Sequence, residues 1–136
     1  MRREALALVL LLAGSGLAAG QPRPAPTPAS EAEIVSARAL FADLRVDAGR
    51  QITFCRFRRL ELRAAMISMG RAQGDARATR ARAVELAATI DPDFERAWAL
   101  GPRGQAARGT VPGDAYWADR ERLARGCDRQ GRPRAR

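Results

Sequence analysis

Apolar positions recur at three- and four-residue spacing along most of the chain, a pattern that predicts helices throughout. Ile34, Ala37, Phe41 and Leu44 fall on one face, with Leu40 beside them. Ser30 and Glu33 match a capping box, in which each side chain satisfies an open amide of the same turn. The first helix should therefore begin at Ser30, run to about Val46 and stop near Gly49. Residues 50–70 are harder to assign. As a helix they place Ile52, Cys55, Leu62, Met66 and Met69 on one face, widened by Leu60 and Ile67, and the methionines then read as core filler. Arg56 and Arg59 intrude on that face and must snorkel or meet acids. As a strand, Ile52 to Phe57 is β-branched and aromatic but alternates poorly. Length and the Ala, Leu, Met and Arg content favour a helix ended by Gly70 and Gly74.

Asp75 reads as the N-cap of a third helix with Thr79, Ala83, Leu86 and Ile90 as its buried stripe. Asp91-Pro92 closes it and opens a short fourth helix, with Asp91 as cap, Pro92 at the first helical position and Asp93 and Glu95 suited to the N-terminal dipole. That helix presents Phe94, Ala97 and Trp98 and ends at Gly101-Pro102. Residues 101–113 hold four glycines and two prolines and read as a loop. Asp114 should cap a last helix whose inner face is Tyr116, Leu123 and Cys127, or Trp117, Ala124 and Cys127. The basic tail 129–136 reads as disordered. The fold class expected is all-α: a small bundle of about four to five helices over residues 31–128.

The N-terminus changes the picture of where this bundle sits. Arg2 and Arg3 precede the uncharged run Ala5 to Ala13, and Ala18 and Gly20 are spaced as a signal peptidase needs them. That is the layout of a secretory signal peptide over residues 1–20, with cleavage expected before Gln21. As a helix, Ala5 to Ala19 would cover roughly 22 Å, short of the ~30 Å hydrocarbon core, so a membrane anchor fits less well. No later segment is apolar enough to span a bilayer. Residues 21–30 carry four prolines and read as an extended, flexible tether. The expected localisation is periplasmic or secreted. In that compartment the two cysteines, Cys55 and Cys127, should form one intramolecular disulfide.

Charge adds a candidate surface. All 24 basic residues are arginine, against 15 acids, and there is no histidine. Residues 50–82 hold nine arginines against Glu61 and Asp75, and residues 122–136 hold six against Asp128. Residues 83–121, by contrast, carry four arginines and seven acids. A codon-biased genome accounts for much of the arginine. Its chemical consequence is a positive field that attracts anions in a salt-sensitive way. Arg56, Arg58, Arg59, Arg63, Arg77, Arg80 and Arg82 form the candidate interaction surface. Acidic envelope proteins or an anionic membrane surface are the expected partners. Export and sparse aromatics argue against nucleic acid.

Catalytic and metal motifs are missing from the sequence. Without histidine there is no His-dependent triad and no imidazole ligand. Oxidised cysteines remove thiolate and zinc-thiolate chemistry. Asp91, Asp93 and Glu95 read as helix capping before they read as a cation site, and no full calcium loop surrounds them. Trp98, Tyr116 and Trp117 read as core. No cofactor or metal is expected, and the chain is expected not to be an enzyme. The sequence thus points to a small exported binding protein. Two alternatives are an accessory subunit of a larger envelope complex and a ligand carrier or enzyme built on carboxylates and arginine.

Overall fold

The computed structural model describes residues 20, 22–106 and 109–135. The signal peptide and its cleavage point before Gln21 lie outside the described residues, apart from Gly20. Among these residues six helices follow one another: α1 (Glu31–Val46), α2 (Ala48–Ser68), α3 (Ala76–Ile90), α4 (Phe94–Ala99), α5 (Gly101–Ala106) and α6 (Val111–Arg125). No named strand occurs among the described residues; the single bridge pairs Cys127 with Pro133. Among them, too, no helix is long and apolar enough to cross a membrane.

Local chemistry sets most of the helix ends. The Ser30–Glu33 capping box is formed in full and starts α1. A single residue, Asp47, separates α1 from α2, and its carboxylate accepts the Arg50 amide at 2.9 Å. Residues 50–57 are thus helix and not strand. At the far end of α2, Gly70 adopts φ +71°, a conformation glycine reaches without a Cβ penalty. The Gly70 amide donates to the Ile67 carbonyl and the Arg71 amide to the Met66 carbonyl, a Schellman closure. Asp75 caps α3 through the Ala78 amide.

The core is aromatic and continuous. α1 buries Ile34, Ala37, Phe41 and Leu44, as its spacing predicts. Around them gather Phe54 and Phe57 of α2, Phe94 and Trp98 of α4, and Tyr116 and Leu123 of α6. Phe57 meets Phe94 edge-on at 5.1 Å and Phe54 meets Trp98 edge-on at 5.4 Å, the geometry ring quadrupoles prefer. Tyr116, fully buried, donates its hydroxyl to the Ala97 carbonyl at 3.0 Å. Cys55 and Cys127 are bonded, tying the middle of α2 to the end of α6 across 72 positions.

The structure corrects four expectations. Most of the predicted apolar face of α2 points outward: Ile52, Leu62, Met66 and Met69 remain 43, 55, 39 and 59% exposed, whereas Cys55 of that face is buried and Leu60 packs against the core. The buried face consists of Phe54, Cys55, Phe57 and Ala64, because the phenylalanines have aromatic partners on α4 and the methionines have none. Residues 101–113 are not one loop, since α5 occupies Gly101–Ala106 and α6 begins at Val111. Gly104 is there for close approach; a Cβ would come within 2.7 Å of the Tyr116 ring. Thr110, not Asp114, caps α6 by accepting the Gly113 amide. Likewise α4 starts at Phe94, two residues past Pro92, and Asp91 accepts the Asp93 amide in the preceding turn.

The fourth correction concerns the tail. Past Cys127 the chain turns back: the Asp128 amide donates to the Arg132 carbonyl and the Arg134 amide to the Gly126 carbonyl. The Asp128 carboxylate accepts the amides of Gln130 and Arg132 and the Arg132 guanidinium. Gly131, at φ +75°, is buried against Arg59 and the Cys55 carbonyl. Residues 129–135 are therefore an ordered turn on α2, held by contacts far apart in sequence.

Candidate functional site

α2 and α3 form an antiparallel helical hairpin, by far the most extensive helix pairing in the fold. Its seam is sealed by small residues, Ala64 on α2 and Ala83 and Ala87 on α3. Along one side of the seam lies an open groove of about 570 Å³ lined by Arg56, Arg59, Leu60, Arg63, Leu86, Gln130, Gly131 and Arg132. Leu60 and Leu86 form an apolar floor, and the arginines stand around it. Among the described residues no carboxylate lines this groove. A second depression of about 350 Å³ continues it past Leu60 and Arg63 to Ile67, Thr79 and Arg82, with Asp75 at its far end.

Helical spacing explains the cluster. Arg56, Arg59 and Arg63 stand three and seven residues apart, one face of α2. Arg59 is oriented by donating to the Gln130 carbonyl at 3.2 Å, and Arg132 by its bond to Asp128 at 2.9 Å. The Arg132 backbone and side-chain hydrogen bonds also hold the Asp128 carboxyl below its ordinary pKa. Arg56 and Arg63 have no carboxylate partner among the described residues. Their charge is thus uncompensated, which is the condition for binding an external anion.

Of the seven arginines in the predicted surface, three line this groove and Arg82 lines its continuation. Arg58, Arg77 and Arg80 do not join them. Arg80 donates to Ser68 Oγ at 2.9 Å and clips the start of α3 to the end of α2. Arg77 is exposed in the first turn of α3. Arg58 turns the other way, pairing with Glu61 at 2.7 Å and lying 5.3 Å from the Trp98 ring centroid. Sequence reasoning missed Arg132, because it had assigned the tail to disorder.

It also missed a second arrangement. The Trp98 indole donates to Glu61 Oε1 at 2.9 Å, and the Arg120 guanidinium stacks 3.6 Å over the same ring and 5.1 Å from Trp117. Arg120 Nε finds no acceptor among the described residues. Burial lowers the Arg120 pKa and raises that of Tyr116. These contacts join α2, α4 and α6 as an internal strut. The Glu61 three residues after Arg58 was its only local signal.

Several carboxylates elsewhere are occupied structurally. Glu33 takes both terminal nitrogens of Arg103, at 2.7 and 2.8 Å, and this pair with the Ser30 hydrogen bonds lowers its pKa to about 2. Asp119 binds Arg38 at 2.7 Å, and Asp91 meets Arg50 at 3.4 Å. Asp91 and Asp93 line one open depression of about 620 Å³ with Glu33 and Asp43, Glu95 lies outside that lining, and among the described residues no three acidic or cysteine side chains gather as metal ligands would. The chain matches no protein-family model, no curated protein and no solved structure.

Proposed function

We propose that this chain is a small exported binding protein, without catalytic activity, that holds an anionic partner in the arginine groove along the α2–α3 seam. The carrying observation is the groove lined by Arg56, Arg59, Arg63 and Arg132 with no carboxylate among its lining residues. Guanidinium groups around an apolar floor suit carboxylate or phosphate groups attached to a partly apolar body. An acidic envelope protein and the anionic envelope surface both carry that chemistry. Export is supported by the N-terminal sequence pattern and by the Cys55–Cys127 bond, which an oxidising compartment preserves.

The test uses the oxidised protein and a soluble polyanion, polyglutamate, in a salt titration of binding. Affinity should fall steeply as salt rises, and Arg56→Gln/Arg63→Gln should weaken it by roughly thirtyfold or more, since each charge-assisted contact contributes about 1 kcal/mol or more. Both substitutions fall on exposed side chains without ion pairs, so thermal stability should stay unchanged. Binding that ignores salt, or that the double variant leaves intact, would refute the groove assignment.

A further inference from the structure

The α2–α3 hairpin reaches beyond the core. No side chain of α2 after Leu60 and none of α3 before Ala83 belongs to the continuous hydrophobic cluster. The distal half of the hairpin packs helix on helix and projects from the bundle. On its outer face Leu62, Met66 and Met69 follow one another four and three residues apart, all exposed. Residues 62–82 carry five arginines (63, 71, 77, 80 and 82) and one acid, Asp75. Asp75 is occupied in capping α3, so it offsets little of that charge toward a partner.

We infer that the hairpin tip is a membrane-surface element, docking on an anionic bilayer with Leu62, Met66 and Met69 entering the headgroup–acyl boundary and the arginines meeting lipid phosphates. This assignment rests on the anionic-partner reading of the neighbouring groove and names the partner. Three features favour a bilayer over a folded acidic protein. Met66 and Met69 form an exposed apolar ridge along α2, with Leu62 at its inner end beside a depression next to the disulfide, and such a ridge suits a deformable plane better than a preformed pocket. Their unbranched and γ-branched side chains adapt to disordered acyl chains. The five arginines within residues 62–82 give the hairpin tip the cationic charge of an interfacial amphipathic element.

The experiment is co-sedimentation of the full oxidised protein with vesicles of phosphatidylcholine alone and of phosphatidylcholine mixed with phosphatidylglycerol. Binding should require phosphatidylglycerol and should fall with salt. Leu62→Ser/Met66→Ser/Met69→Ser should lower the partition coefficient by roughly tenfold or more, because the apolar contribution to insertion is removed. Arg63→Gln/Arg71→Gln/Arg77→Gln should lower it by roughly a hundredfold, taking each arginine at about 1 kcal/mol near an anionic surface. In Met69→Trp, added phosphatidylglycerol vesicles should shift the emission to the blue, a change the parent protein lacks. Polyglutamate binding without vesicle binding would overturn the membrane assignment and leave the groove reading standing. Vesicle binding insensitive to the serine variant would overturn insertion of the ridge. Failure of both probes would remove the groove reading as well.

Discussion

Replacing the disulfide by Cys55→Ala/Cys127→Ala tests how much of this small fold depends on its one covalent staple. The bond joins positions 72 apart. In the chain-entropy description, a loop of that size restricts the unfolded ensemble by about 4 kcal/mol at 25 °C. Domains of this length have net stabilities of about 5–15 kcal/mol, so the loss is a large share. Alanine is chosen because Cys55 is buried and serine would add an unsatisfied hydroxyl. In urea, with a slope of about 2 kcal/mol/M, the midpoint should fall by about 2 M, and the slope should rise as the unfolded chain expands. Far-ultraviolet circular dichroism at low urea should remain helical, since the aromatic core is intact without the bond. A midpoint shift below about 0.5 M would refute the entropic argument, showing that the reduced chain is already compact when unfolded.

Acid should act through Glu33. Its folded pKa of about 2 lies below the ordinary 4.5, so its contribution is complete above about pH 4.5 and lost as pH falls toward 2. Melting temperature should drop across that window, and less so in Glu33→Gln; equal slopes in the two proteins would contradict the assignment. Arg120→Met should leave stability within about 1 kcal/mol, because it removes a desolvated charge while keeping the stack on Trp98, whereas Arg120→Ala should cost about 2 kcal/mol or more in packing. Chemical denaturation separates the two, and a large loss in the methionine variant would mean the charge itself is required. Gly104→Ala should destabilise by about 1–3 kcal/mol, since its Cβ would strike a tyrosine ring fixed by the bond to Ala97. A neutral result in the same assay would show that α5 can slide off Tyr116.

What was legible in the sequence is what one helical turn decides. The capping box at Ser30, the Asp75 cap and the buried face of α1 are all written within a few residues, and the structure forms each of them. The all-helical class and the cysteine pairing follow from periodicity and from having only two cysteines. Long-range complementarity was not legible. α2 carries apolar residues on two faces, and its own period cannot say which one meets Phe94 and Trp98. A glycine that admits a ring looks the same as a glycine that opens a loop, so Gly104 was misassigned. The groove follows the same division. Arg56, Arg59 and Arg63 share a face by spacing alone, but Arg132 joins them only through the Asp128 turn and the Gly131 contact with Arg59. The error on α2 is also informative for function. An apolar stripe that satisfies helical periodicity and yet stays in solvent needs a physical reason other than packing. On a hairpin with five arginines, the anionic interface proposed above would supply that reason.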